Sequence, residues 1–368
     1  MKLAIVHDYL FDYGGAERVL EALHEIWPKA PVYTAFYSPQ SLGSKAKHFE
    51  NWDIRTTWFD RLPGKEKLVS PLRFLAPWVW GSLDLSQYDL VISSAAWFIT
   101  KGFSKSKSSV EICYCHTPPR YLYGYQTSRN WRKYWPIKVY GMIVNHFLRQ
   151  YDFNQAQKVD YFVANSEEIR QRIKKFYRRQ AEIIYPPVQT ETKTKVKSWR
   201  QGRYYLYVGK LSEAKRPDLA IQACQKLGKK LKIVGGGPWE GYLKSLKGSK
   251  VQFLGRVEDK QLWQLYQNCR AVIFPAVEED FGIVPVEAMS WGKPVVALRS
   301  GGVKETVIED KTGIFFNEPE VSSLVEAINQ LEKSSICSQD CCRQAKQFSQ
   351  ARFKKEITAF VKTALDKK

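Results

Sequence analysis

Residues 271–298 read AVIFPAVEEDFGIVPVEAMSWGKPVVAL. The apolar run Ala271–Phe274 is strand-like, Val286–Trp291 has helical spacing, and Pro294–Leu298 is a second strand. Strand, helix and strand in so short a stretch is a crossover unit, the way a chain joins parallel strands. Working outward, the same alternation continues. Before it stand a strand at Tyr204–Val208, a helix at Pro217–Leu227, a strand at Leu231–Val234, a strand at Val251–Leu254 and a helix at Gln261–Cys269. After it comes a helical pattern from about Ser323 to Leu365. Towards the N-terminus, Leu3–Val6, Leu90–Ser93, Glu111–Cys115 and Tyr161–Ala164 are strand-like, and Glu17–Trp27 and Glu167–Phe176 are helical. The two series are divided by a short strand ending in Pro186-Pro187 and a polar stretch, Gln189–Gly202, that has the composition of a linker. The sequence therefore predicts an α/β fold of two domains, 1–185 and 186–349, each with its own parallel sheet. A helix at about 350–368 is expected to pack back on the first domain.

Composition narrows the function. The chain has 368 residues, 44% hydrophobic and 14% aromatic, which suits a globular protein and excludes a disordered one. No internal repeat is visible. The opening run Leu3–Val6 is too short for a signal-peptide core, and no run approaches the ~20 apolar residues that cross a bilayer. The seven cysteines form no paired C-x-x-C motifs, so neither a zinc site nor a disulfide framework is expected. A cytosolic protein with reduced thiols is. The net charge of +20 calls for an anionic partner: nucleic acid, lipid or phosphorylated ligand. A non-enzymatic nucleic-acid-binding protein is the alternative from another class. It lacks an RNP-like strand, a zinc finger and a helix-turn-helix signature.

Four segments could carry chemistry. Glu279 lies in the loop before a helix and Glu287 lies within it. Between them Phe281, Gly282 and Ile283 lead into the helix N-terminus, whose free N–H groups suit phosphate oxygens. Acidic residues also suit a helix N-terminus without any ligand. Lys210 and Lys215 follow the strand that ends at Gly209, where cations could neutralise a leaving diphosphate or simply be solvated. Gly14-Gly15 opens the first helix, where backbone can approach an anion closely or merely turn. His116 stands past a strand end, before Pro118-Pro119, as a candidate site residue or a structural one.

Taken together, these segments resemble the retaining glycosyltransferases of family 4, with the GT-B fold of two facing Rossmann-like domains and a cleft between them. Glu279 and Glu287 meet the family's E-x7-E motif. Gly301-Gly302, Glu305-Thr306-Val307, Val163-Ala164-Asn165-Ser166 and Ile233-Val234-Gly235-Gly236-Gly237-Pro238 resemble further family segments. The family usually has arginine where Lys210 stands, and a lysine cannot offer the planar fork. The resemblance implies an N-terminal acceptor domain and a C-terminal nucleotide-sugar domain. It implies Glu279 on the donor sugar, Glu287 on the ribose, Gly14 and Gly15 near the donor phosphates and His116 near the transferred sugar. It also implies retention of configuration, no cofactor and no required metal. HDYL…GGAERVL and CYCHTPPRYLY are similar to bacterial mannosyltransferases of O-antigen and exopolysaccharide assembly. This implies GDP-mannose as donor and a lipid-linked glycan or saccharide as acceptor. A UDP-sugar-dependent glucosyl- or galactosyltransferase of the same fold is the alternative.

Trp58–Trp80 and Trp131–Ile143 mix tryptophans with cations. Arg61, Lys65, Lys67 and Arg73 lie in the first, and Arg132, Lys133 and Lys138 in the second. Basic residues are also dense from 101 to 138 and over Arg170–Arg179. This is the composition of an interfacial surface, so the chain is expected on the anionic inner face of the membrane. Core aromatics and solvated helix faces would give the same composition.

Overall fold

The computed structural model describes residues 1–127, 134–190 and 196–367. The chain divides into two compact units. One takes in Met1–Tyr125, most of the chain from there to Pro187, and the C-terminal stretch from Ala351; the other is Val188–Gln350.

The first unit is built on a seven-stranded sheet of β1 (Leu3–His7), β2 (Val32–Thr34), β3 (Ile54–Thr56), β4 (Leu90–Ala95), β5 (Val110–Cys115), β6 (Tyr161–Ala164) and β7 (Ala181–Ile183). Their order is β3-β2-β1-β4-β5-β6-β7, and every pairing is parallel. Alternate side chains of a strand face opposite ways. Leu3 and Ile5 of β1 therefore join one core, with Leu90, Ile92 and Ile112, while Ala4 and Val6 join another with Tyr33 and Val91. The helix Gln350–Asp366 places Phe353, Ile357, Val361 and Ala364 in the first of these cores. Their spacing of three and four is that of one helical face.

The second unit carries β8 (Tyr205–Val208), β9 (Leu231–Val234), β10 (Val251–Gly255), β11 (Ala271–Phe274), β12 (Val295–Leu298) and β13 (Gly313–Phe316), in the order β10-β9-β8-β11-β12-β13. All are parallel. Both sheets thus begin in the middle, run outward one way, and return to run outward the other. This is Rossmann-like winding, in which the strand order reverses at β1/β4 and at β8/β11, and ligands bind beyond the carboxyl ends there.

The expected α/β architecture with two Rossmann-like parallel sheets is found. Very short strands escaped the sequence reading. β2 and β3 have three residues each, too few for a period. The single C-terminal helical pattern is three helices, Val321–Lys333, Ser338–Lys346 and Gln350–Asp366. All seven cysteines are free thiols, and no metal-binding cluster of His, Cys, Asp and Glu occurs among the described residues. No helix among them is long and apolar enough to cross a membrane.

Candidate active site

In the second unit, the loops leaving β8 and β11 lie side by side at the reversal point. Val277 N–H donates to the Ala214 carbonyl at 2.9 Å, and the Lys215 ammonium forms an ion pair with the Glu279 carboxylate. Glycine makes this approach possible. Gly235, just past β9, has φ +127°, and a Cβ there would sit 1.9 Å from the Gly209 carbonyl oxygen. Gly301, with φ +72°, would place a Cβ 2.1 Å from the Glu279 carbonyl oxygen. That close approach lets the Gly302 N–H donate to the same oxygen at 2.7 Å. Gly301-Gly302 therefore fixes the backbone of Glu279.

From Glu279 the chain reaches Gly282, in the left-handed region at φ +92°, and enters the helix Ile283–Ser290. The N–H groups of Ile283 and Val284 have no hydrogen-bond partner among the described residues. As first-turn donors they point along the helix axis towards any anion placed there. Pro285 has no N–H to offer. One turn on, Glu287 accepts a hydrogen bond from Tyr266 Oη at 2.8 Å. Tyr266 is buried on the helix Asp259–Asn268. It was not singled out from the sequence, because a tyrosine at a core-facing helical position carries no signal of its own.

Lys215, Glu279, Gly282, Ile283 and Glu287 are thus brought together on two neighbouring loops and one helix. Lys210 is exposed and makes no ion pair among the described residues. Phe281 lies between Glu279 and the helix start. Its side chain is buried and packs against Phe348, with ring centroids 5.5 Å apart, so it anchors the loop from beneath.

In the first unit, Gly14 caps the helix Gly15–Ile26, and its N–H donates to Glu17 Oε2 at 2.7 Å. The glycine pair therefore does not leave that N–H for an anion, as the sequence had suggested. The capping glutamate leads into a buried relay. Glu17 Oε1 lies 3.4 Å from His7 Nε2, His7 Nδ1 is 3.0 Å from Ser94 Oγ, and Ser94 Oγ is 2.9 Å from His116 Nε2. A carboxylate only accepts. With His7 neutral, its proton therefore sits on Nε2, its Nδ1 accepts from the Ser94 hydroxyl, and Ser94 accepts from His116 Nε2–H. In that state the relay places the His116 proton on Nε2. Asn165 Nδ2 donates to the His116 carbonyl at 3.0 Å and holds its backbone. Asp8, at the end of β1, accepts from Phe98 N–H at 3.1 Å and from Trp97 N–H and the Thr100 hydroxyl. It ties down the loop after β4. His7, Asp8, Glu17 and Ser94 were not singled out from the sequence. The only available signal was Glu17, three residues after a capping glycine.

The basic, aromatic segments divide. Trp58, Phe74, Trp78 and Trp135 are exposed, whereas Trp80 and Arg73 are buried. Trp80 donates to the Phe98 carbonyl at 2.6 Å, and Arg73 donates to Asn145 Oδ1 at 3.1 Å. Lys101, counted among the surface cations, is buried in an ion pair with Asp152. Burial pulls its pKa down most strongly, but Asp152 together with Cys113 and Cys115 raises it overall. Arg129, Trp131, Arg132 and Lys133 lie outside the described residues.

Residues 13–192 match the family described as Glycosyltransferase Family 4, and residues 188–348 match that described as Glycosyl transferases group 1. An uncharacterized glycosyltransferase of Methanocaldococcus jannaschii is 26% identical over 56% of this chain and 60% of its own length. The O-antigen chain mannosyltransferase C of Escherichia coli is 28% identical over 53% of this chain and 55% of its own. The chain thus spans little more than half the length of these relatives. Anabaena HepE, solved in complex with UDP and glucose, superposes with a TM-score of 0.69 at 19% identity, covering 98% of this chain and 99% of that one. The two glycosyltransferase family matches take in residues 13–348 between them, each over less than half of the chain, and the fold is of the GT-B type.

Proposed function

We propose that the protein moves a hexosyl group, mannosyl from GDP-mannose, to a lipid-linked glycan or saccharide acceptor in cell-surface polysaccharide synthesis. It does so with retention of configuration and without a metal. The observation that carries the reading is the Lys215–Glu279 ion pair beside the unpartnered Ile283 and Val284 amides, with Glu287 one turn along the same helix. A nucleotide-sugar needs donors for its phosphates and acceptors for its hydroxyls, and this strip supplies both. The amides and Lys215 serve the diphosphate, Glu279 the sugar and Glu287 the ribose. As the diphosphate leaves, its growing charge is met by donors already in place, which is electrostatic catalysis. The leaving phosphate takes the acceptor proton, so no side-chain nucleophile is required. Lys210 adds charge without direction.

The mannosyl reading draws on the E. coli relative. The HepE complex with UDP and glucose favours the second reading, a UDP-sugar as donor. The exposed aromatics and cations of the first unit support a place on the inner face of the membrane. The test is a panel of GDP-mannose, UDP-glucose and UDP-galactose with a lipid-linked acceptor, following the product's anomeric proton by NMR with and without EDTA. An α-mannosyl product from GDP-mannose, undiminished by EDTA, is expected. Turnover of a UDP-sugar alone selects the second reading. Inversion, or loss on chelation with recovery by manganese, overturns the mechanism.

A further inference from the structure

The loops carrying Lys215 and Glu279 lie at the carboxyl ends of the second sheet. At its opposite edge, the starts of β8, β9 and β10 border a groove of about 1480 Å³ formed wholly by residues of the second unit. Its lining contains eight Lys and Arg side chains and no Asp or Glu. Arg203, Lys230 and Lys247 make no ion pair among the described residues. Lys250 donates only to the Gly228 carbonyl, at 2.9 Å, and Lys232 lies over the Tyr204 ring at 4.2 Å. Lys293 is the most telling. It is fully buried, and its ammonium donates to the Lys197 carbonyl at 3.2 Å, with no carboxylate partner among the described residues.

A buried ammonium without a counter-charge is costly, and gathering like charges around it adds repulsion. Helix C-termini attract cations, which accounts for Lys244 in the last turn of the helix Glu240–Ser245 and Lys247 just beyond it. It does not account for Lys230, Lys232 and Lys250, which sit at strand starts, where no comparable dipole exists. An anionic ligand in the groove would relieve the repulsion among its exposed cations. The groove is larger than the usual small-ligand pocket of roughly 300–1,000 Å³, so a ligand with several anionic groups fits it better than a lone phosphate. Lysine meets phosphate as a point charge, and the amides of Gln252 and Gln264 add neutral donors in the same lining.

We propose that this groove is a binding site for clustered phosphates, separate from the nucleotide-sugar site and at the opposite edge of the same sheet. The proposal stands on the groove alone and does not depend on the transferase reading. Clustered phosphates occur on soluble oligophosphates and across the headgroups of an anionic lipid surface, and the test separates these sources.

Calorimetric titration of the full chain at low salt uses inorganic phosphate, pyrophosphate and tripolyphosphate, with saturating GDP and UDP present throughout. Saturable binding that tightens along the series is expected. Lys230→Glu with Lys250→Glu should weaken tripolyphosphate by about tenfold or more, the scale of a lost charged hydrogen bond. The milder Lys230→Gln with Lys250→Gln, which preserves volume, should weaken it less but measurably, and it serves if the first pair unfolds. The same pairs are sedimented with phosphatidylglycerol and with phosphatidylcholine vesicles. Loss of phosphatidylglycerol binding in the pairs assigns the headgroup source. Unchanged vesicle behaviour with weakened tripolyphosphate binding assigns the soluble one. Tripolyphosphate binding that is absent, eliminated by the nucleotides, or unchanged in both folded pairs overturns the site.

Discussion

Glu287 and Tyr266 show how a single side chain acquires a role from its neighbour. The Tyr266 hydroxyl donates to Glu287 Oε2 at 2.8 Å from a buried position, so the carboxylate is held before any ligand arrives. If Glu287 binds the ribose, Glu287→Ala should weaken nucleoside diphosphate binding by roughly 1.5–3 kcal/mol, the worth of a charged hydrogen bond. Tyr266→Phe removes only the hydroxyl and should cost less. Calorimetry on folded variants checks both, and unchanged affinity in Glu287→Ala removes the ribose role. In the first unit, with His7 neutral, the relay from Glu17 through His7 and Ser94 requires that neutral His116 carry its proton on Nε2. Nitrogen-15 NMR of histidine-labelled protein at about pH 8, above the ordinary histidine range, should report the Nε2–H tautomer for His116. Ser94→Ala should let the tautomers mix. A wild-type His116 protonated on Nδ1 would mean that the Ser94 hydroxyl points the other way. This readout needs no substrate, so it stands apart from the question of the donor.

At the scale of elements, the site depends on loops held at close quarters by glycine. Gly301→Ala would have to place a methyl where the Glu279 carbonyl now sits, at a φ that disfavours a side chain. The loop should move, the Gly302–Glu279 hydrogen bond should break, and stability should fall by about 1–3 kcal/mol. Turnover should fall further than that loss explains, because Glu279 and Lys215 shift together. Thermal melts beside turnover at a temperature where the variant is fully folded test this, and wild-type turnover there would sever Gly301 from the site. These elements also show what a sequence discloses. The βαβ unit over 271–298 was legible because each piece is apolar, bounded by Gly or Pro, and long enough to have a period. Glu279 and Glu287 were legible because their spacing brackets a helix start. The Lys215–Glu279 pair was not, because the two residues are 64 apart in sequence and only the strand order β8-β11 makes them neighbours. The His7–Ser94–His116 relay was hidden for the same reason. It forms because β1, β4 and β5 are consecutive in the sheet, while serine and histidine at strand ends are common in any α/β chain. The packing of Phe281 on Phe348 was not legible either, because the two rings are far apart in sequence.

For the whole molecule, the question is where a net charge of +20 is used. Cations paired with carboxylates, such as Lys101 with Asp152 and Arg172 with Glu168, cancel and account for none of it. Part lines the groove at the amino edge of the second sheet. A further part accompanies exposed apolar groups on the first unit. The helix Trp135–Lys158 buries Gly141, Asn145, Leu148 and Asp152 on one face. Elsewhere it exposes Trp135 (76%), Val139, Met142, Ile143 and Phe147 (65%), with Lys138 among them. Helical spacing puts Val139, Met142, Ile143 and Phe147 on one stripe. The helix is tied through Asn145 to Arg73, beside exposed Phe74 and near Trp78 in the same short segment. So large an apolar face, unmatched by any partner among the described residues, is a place for an interface. Rings and aliphatic side chains at headgroup depth, flanked by lysine, suit an anionic leaflet, where each cation contributes about 1 kcal/mol within a Debye length. Protein should therefore sediment with anionic vesicles at low salt, and only partly detach as salt rises, because apolar insertion is not screened. Trp135→Ala with Phe147→Ala should remove the salt-resistant fraction. Lys138→Glu with Lys67→Glu should remove part of the salt-sensitive one. If wild-type protein stays in the supernatant with anionic vesicles at low salt, this face serves a partner other than lipid.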